Sequence, residues 1–432
     1  MNINIALPAL CGVVLAVTLG ASSRACAADA INLDDYYNAA IVRSETVASQ
    51  GELITQASER YNQARATMFP TVDAIGVRTW HGSGARDLNS NPRRQTTSRI
   101  TAVQPIFGAF TLMAGLRQAK AEIGAQSEEY QNARVQLFKD LTQNFYDILS
   151  LERELINLDE QINLNEKREK ELQDRVRIGR TRPGEVLSVT TRISVLRAEV
   201  QRFQAQLAAA REAFAFLSGL PATTPLRDTE PSQSMVEPLD AYMAGRERRP
   251  DVKAAQQRLA AAQESVTVAR NEHIPSLDVV ANRYLERSSS SSLSEVDWDV
   301  SLELTVPLYA GGGVQARVRE RVSQRDQAEF DLSRVTRLAE QDIRTNHQNT
   351  LLDRPQLDAL EKATDAARRN YEAQSRDYRL GLVTNLDVLQ ALTSFQENQR
   401  DLDRARYTAK INYLRLQAAA ARRPALTDGP KP

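Results

Sequence analysis

The sequence predicts an α+β membrane protein: four strands from each chain toward a trimeric, twelve-stranded outer-membrane β-barrel, long α-helical coiled coils, and two internal repeats in every chain. Three observations carry this expectation. Motifs recur about 200 residues apart, heptads run for many turns, and one segment alternates apolar and polar residues over the length a membrane strand needs.

The repeat comes first. Arg65, Phe69, Pro70 and Asp73 recur as Arg270, Ile274, Pro275 and Asp278, an offset of 205. Pro105, Ile106 and Phe107 recur as Pro307, Leu308 and Tyr309, and Gly179, Glu185, Val186 and Leu187 recur as Gly381, Asp387, Val388 and Leu389, both at an offset of 202. The stretch from Pro70 to Pro105 spans 35 residues against 32 in its copy, whereas Pro105 to Gly179 and Pro307 to Gly381 both span 74. Loops absorb length changes and packed helices do not, so each half reads as helix, two strands, long helix, turn, helix.

From the N-terminus, Ile3 to Gly20 is apolar and a small-residue site follows at Ala25 to Ala27, so residues 1–27 read as a secretory signal. Cleavage there removes Cys11 and Cys26, the only cysteines; a lipid-modified Cys26 is the rival reading, disfavoured by Arg24. Residues 28–218 are the first repeat, with strands about 71–80 and 97–107 and a tip turn at 179–185. A Pro-rich linker, 219–238, precedes the second repeat at 239–423, with strands about 276–286 and 296–308 and a tip turn at 381–387. A tail at 424–432 is expected to be mobile.

The strands set the compartment. Trp298, Val300, Leu302, Leu304 and Val306 alternate with Asp297, Asp299, Ser301, Glu303 and Thr305, and no run beyond residue 27 is long and apolar enough for a spanning helix. Phe69, Trp80, Phe107, Trp298 and Tyr309 bound the strands as two aromatic girdles would. Four strands cannot close, and an open edge cannot face lipid, so several copies must assemble; three supply an even and sufficient number. Asp297, Asp299 and Glu303 then face the lumen as acidic rings.

The helices carry coiled-coil seams. Leu141, Ile148, Leu155 and Ile162 recur every seven residues, interleaved with Leu137, Leu151, Leu158 and Leu172 and interrupted by Asn144 and Asn165. After the turn, Val186, Val189, Ile193, Leu196, Val200, Phe203, Leu207, Ala210, Phe214 and Leu217 alternate steps of three and four without a miss. Val388, Ala391, Phe395, Leu402, Ala409, Leu416 and Ala419 repeat this with smaller residues. Pro355 is expected to kink or end the second long helix.

These residues resemble the TolC family of outer-membrane efflux and secretion channels over essentially the whole mature chain. The tip motifs at Gly179 to Leu187 and Tyr378 to Leu389 carry the likeness, with Arg249, Pro250 and Asp251 before an Ala-rich helix and the Pro-Leu-Tyr run at 307–309. The resemblance implies a homotrimer in the bacterial outer membrane, whose twelve-stranded barrel is continued by a long periplasmic α-helical coiled-coil barrel. It implies an exit duct of a tripartite efflux pump or type I secretion system, without catalysis or cofactor. Its partners would be outer-membrane lipid, a periplasmic adaptor protein and an inner-membrane pump.

By the same resemblance Tyr378, Glu185 and Asp387 fall at the entrance constriction, and Gly179, Val186, Leu187, Gly381, Val388 and Leu389 at the tip that meets the adaptor. Two positions depart from the family pattern: Val383 stands where an arginine locks the gate and Gln390 where a second acidic ring lies. Arg177, Arg180 and Arg182 are candidates to pair with Asp387 instead. Solvated charges on a turn are the plainer alternative.

Balanced charge, 55 basic against 55 acidic residues, gives no pull toward nucleic acid. His81, His273 and His347 lack a second ligand at helical spacing, so no metal site is expected. Gly179 to Gly184 has phosphate-loop glycine spacing, but Glu185 occupies the lysine position. A periplasmic coiled-coil adaptor or structural protein would also show a signal and heptads, yet would have no use for four amphipathic strands.

Overall fold

The computed structural model describes residues 30–80, 94–107, 109–230, 236–287 and 296–424. The expected signal, the lipidation candidate Cys26, the two strand-connecting loops and the tail lie wholly or mainly outside these residues. Each half opens on a 22-residue helix, α2 (Glu45–Ala66) in the first and α6 (Pro250–Asn271) in the second; a shorter helix α1 (Leu33–Arg43) precedes α2, and α5 (Leu239–Met243) precedes α6. Strand pairs β1 (Thr71–Trp80) and β2 (Arg94–Phe107), then β3 (Ser276–Arg287) and β4 (Trp298–Thr305), follow. The long helices α3 (Ala109–Arg177) and α7 (Gly313–Arg379) have 69 and 67 residues and return as α4 (Pro183–Ser218) and α8 (Asn385–Ala419). At 1.5 Å per residue α3 and α7 each reach about 100 Å.

The coiled-coil row of α4 is buried or half-buried at all ten positions, with Val189, Leu196 and Phe214 wholly inside. The asparagine that interrupts the facing row has a structural reason. Asn144 accepts from the Tyr36 hydroxyl at 2.9 Å and donates to the Ala210 carbonyl at 3.1 Å, locking α1 and α4 to α3 beside the aromatic core of Tyr36, Phe145 and Phe214. Arg249 is similarly structural: its guanidinium reaches Asp251 (2.7 Å), Asp342 (2.8 Å) and the Ala419 carbonyl (3.1 Å), tying the start of α6 to α7 and to the end of α8.

Pro355 does not end α7, which runs unbroken through it. The ring removes one amide donor, but α8 holds α7 on both sides of the site. Asn412 donates to both Asp353 oxygens at 3.0 and 3.1 Å, and Arg406 reaches Glu361 at 3.0 Å.

The strands form one antiparallel sheet in the order β1-β2-β3-β4, so the halves join through β2 and β3. Strand β2 begins three residues earlier than the alternation suggested and β4 is shorter at both ends. The register places Val72, Ala74, Ile100, Ala102, Val279, Ala281, Val300 and Leu302 on one face. Asp73, Thr101, Asn282 and Asp299 form a row across the other, with Asp278 opposite Glu303 nearby.

Each chain is an open wall. In its upper part the helices pack in the order α2, α3, α6, α7 and in its lower part α4, α3, α8, α7. One edge is therefore β1, α2 and α4, and the other is β4 and α7 throughout. Large apolar side chains are left uncovered on both: Val42 on α1, beside α4, and Val195 and Phe216 on α4, against Phe330, Leu338, Leu351 and Leu352 on α7. Edges that differ from one another suit a head-to-tail contact that closes into a ring.

Candidate functional site

The two hairpin tips are built alike. Gly179 and Gly381 have φ of 71° and 80°, a region that suits glycine, and each follows the last turn of a long helix. The Arg180 amide bonds the Arg175 carbonyl at 2.8 Å, and the Leu382 amide bonds the Asp377 carbonyl at 2.9 Å. These are the same helix-ending bond, 202 residues apart. The tip-motif glycines therefore shape the turns rather than present side chains.

The return helices start differently, and this sorts two equivalent carboxylates. Thr384 caps α8 and forms a reciprocal box with Asp387, which accepts from the Thr384 amide at 2.8 Å and its hydroxyl at 2.6 Å. These bonds hold the Asp387 carboxyl below its ordinary range. Arg182 stands at the corresponding place before α4 and supplies no side-chain cap, with Pro183 behind it. Glu185 is thus released from its own helix end. It accepts from the Tyr378 hydroxyl at 3.3 Å and from Thr181 at 3.2 Å, bridging the two tips.

The expected pairing of Asp387 with Arg177, Arg180 or Arg182 is not made within the protomer. Arg177 pairs with Asp174 one turn earlier on α3, Arg180 and Arg182 are exposed, and the Asp387 carboxylate is committed to Thr384. The arginines that do meet the tip tyrosine lie higher on α3, where sequence reasoning did not look. Arg168 and Arg175 place their guanidinium carbons 4.0 and 4.6 Å from the Tyr378 ring centroid.

Beneath this polar layer Leu172, Val189, Ile193, Tyr378 and Val388 form a buried cluster, flanked by Val186, Val383 and Leu389. Of the apolar motif residues only Leu187 is exposed, at 66%. Ile178, Leu380, Leu382 and Leu386, which the motif reading did not single out, share that exposure at the very end of the molecule. An apolar residue inside a helix-ending turn was the available signal.

In the sheet, Asp299 and Glu303 lie on the polar face together with Asp73 and Asp278. Thr101 donates to Asn282 at 2.8 Å and Asn282 to Asp299 at 2.9 Å, a hydrogen-bonded row across three strands. Asp297 precedes β4 and pairs instead with Arg283, its carboxylate 3.5 Å from the guanidinium. Trp80 and Trp298 are exposed at one end of the sheet, as girdle residues would be; Phe107's side chain lies outside the described residues. Among the described residues no three potential metal ligands come together.

A sheet that only further copies can close, set on helices about 100 Å long whose tips are held by an apolar cluster and ion pairs, defines a trimeric outer-membrane duct with a periplasmic helical tunnel. Comparison with known proteins agrees. The family model described as outer membrane efflux protein matches residues 36–220 and 242–422, and the chain belongs to that family. The outer membrane protein TolC of Escherichia coli (strain K12) is 24% identical over 380 residues, covering 84% of this chain and 76% of that protein. The solved structure of the channel CusC superposes with a TM-score of 0.80 at 18% identity, over 90% of this chain and 91% of that one. VceC from Vibrio cholerae gives 0.79 at 19% identity over 90% and 95%. The protein is an outer-membrane exit duct of the efflux and type I secretion class, a homotrimer that works with a periplasmic adaptor and an inner-membrane pump; its family is one of ducts, not of enzymes.

Proposed function

We propose that the six helical tips of the trimer form a closable entrance, and that the polar face of the sheet lines the exit. The observation that carries this is the bridge from Tyr378 on α7 to Glu185 on α4, which ties the two hairpins of a protomer at their extreme end. Threefold symmetry would turn Tyr378, Glu185 and Asp387 into rings, and Arg180 and Arg182, exposed on the first tip, would face a neighbouring tip or the adaptor. The duct conducts passively, with no chemical step of its own. The exposed apolar rim of Leu187, Ile178, Leu380, Leu382 and Leu386 would be covered by the adaptor. Residues 1–27 are taken to direct export and to be removed.

Conductance in a planar bilayer tests the entrance. A Tyr378→Phe, Glu185→Gln double variant loses the bridge and is expected to raise conductance; a trace identical to wild type overturns the assignment. Asp73, Asp278, Asp299 and Glu303 would supply acidic rings to the lumen, which predicts a reversal potential showing cation preference. An adaptor or structural role in the periplasm is disfavoured by the sheet, whose apolar face has no aqueous use.

A further inference from the structure

Helices α3 and α4 meet through an apolar seam, whereas α3 and α8, from different hairpins, meet through apolar side chains at the two ends of their contact and through polar ones between them. Along α3 the residues turned to α8 are Glu154, Asn157, Gln161 and Arg168, all buried, with Asn165 in the same row. Their counterparts on α8 include Asn385, Gln396, Arg400 and Asp403. Oxygens of Asn157, Gln161 and Asn165, and both polar atoms of Gln396, have no hydrogen-bond partner in the protein. This polar stretch contributes little adhesion, so the lower part of the second hairpin is held to α3 mainly at its tip, by the apolar cluster that Leu172 shares with Tyr378 and Val388 and by the polar bonds beside it.

Arg168 supplies the polar part of that hold. Its side chain is 8% exposed, and both Nε and Nη2 donate to the Asn385 side-chain oxygen Oδ1, at 3.1 and 2.9 Å. Its third donor goes to Glu171 on its own helix at 3.0 Å, and its guanidinium lies against the Tyr378 ring. Tyr378 closes α7 and Asn385 opens α8, so one side chain of α3 grips both sides of the second tip turn. Arg175 backs the same ring and shares Glu171.

We propose that Arg168 is a positioning residue for the entrance: it aims the Tyr378 hydroxyl at Glu185 and fixes the start of α8 against α3. This rests on the reading of the tips as the entrance. The fork is needed for it. A lysine would keep a charge over the ring but lacks the planar fork whose two N–H groups converge on one Asn385 oxygen while a third donor reaches Glu171.

The test is single-channel recording of the purified trimer with Arg168→Gln, Arg168→Lys, Asn385→Asp and Tyr378→Ala. Heat resistance of each trimer is read separately as a check on folding. Arg168→Gln is expected to raise the open probability about tenfold or more, the scale of losing charged hydrogen bonds, with Arg168→Lys between it and wild type. Asn385→Asp gives the guanidinium a full counter-charge and is expected to lower it. If Arg168→Gln and Asn385→Asp both match wild type while Tyr378→Ala opens the channel, Arg168 is structural only and the proposal falls. If Tyr378→Ala also changes nothing, the entrance reading falls with it.

Discussion

Around residues 153–168 of α3, between apolar contacts at either end, the α3/α4 contact and the α3/α8 contact use two faces of one helix and are opposite in kind. Toward α4, α3 offers Leu155, Leu158, Ile162 and Leu172 to the unbroken apolar row of α4. Toward α8 it offers amides, acids and arginines, and the residues that bind are ionic: Arg153 and Asn157 on Asp403 at 2.9 Å each, Glu154 on Arg400 at 3.1 Å. Apolar seams do not come apart in water without a large penalty, whereas polar ones exchange protein partners for solvent at little net cost. The difference predicts that a hairpin moves as a unit and that the polar stretch between hairpins is where one slides on the other.

The largest expected effect breaks the rigid side of the comparison. Leu196 is fully buried in the α4 row, and Leu196→Ala should cost about 2–5 kcal/mol through lost burial and the cavity left behind. Thermal unfolding of the detergent-extracted trimer measures it. A loss well under 1 kcal/mol would mean that the seam is not what stiffens the hairpin.

Next comes a change that makes the sliding surface resemble the rigid one. Gln161→Leu with Gln396→Leu replaces amides that are 4% and 3% exposed and carry unpartnered polar atoms. Removing such groups is expected to stabilise by about 1–3 kcal/mol each. It should also slow export, because the hairpins would then adhere. Cells relying on this duct would export less of whatever toxic compound or protein it carries while the trimer melts higher. Higher melting with undiminished export would separate stability from opening and undo the sliding argument.

How much of this was legible follows from the same contrast. The α4 row was readable because a coiled coil writes its contact into one continuous segment at fixed spacing. The α3/α8 contact joins residues such as Arg168 and Asn385, 217 positions apart, and has no period of its own. In sequence Asn165 was only an interruption of an apolar row. The carboxylates show a subtler limit. Glu185 and Asp387 are equivalent by repeat, yet a cap residue three positions earlier, Arg182 against Thr384, sends one across the tip and keeps the other at home. The acidic face of the sheet was read from β4 alone; Asp73 and Asp278 joined it once the register of all four strands was known.

A smaller effect depends on pH. Burial raises the Glu154 carboxyl above its ordinary value of 4.5, more than Arg400 and Arg404 lower it, and Glu199 and Asp401 add to the rise. The folded protein therefore binds this proton more readily than the unfolded chain does. The contribution to stability is full below the unfolded value and is lost as pH rises through the folded one. Glu154→Gln should melt higher than wild type at neutral pH and lose that part of the pH slope. If wild type and variant keep parallel melting curves from pH 4 to 7, Glu154 does not load the seam.

The smallest effect compares the two tips directly. Asp387 is held low by Thr384, so what its cap contributes is present above the ordinary aspartate range and is lost as pH falls through the depressed value. Asp387→Asn keeps an acceptor for Thr384 but removes the charge that favours a helix start, and its effect within a protomer should be confined to slight fraying of α8. Glu185→Gln, the equivalent change on the other tip, weakens the bond from Tyr378 and should raise conductance, whereas Asp387→Asn should leave conductance nearly unaltered. Equal conductance changes in the two variants would show that neighbouring protomers recruit Asp387 across the threefold axis, and that the division of labour between the equivalent carboxylates ends at the protomer boundary.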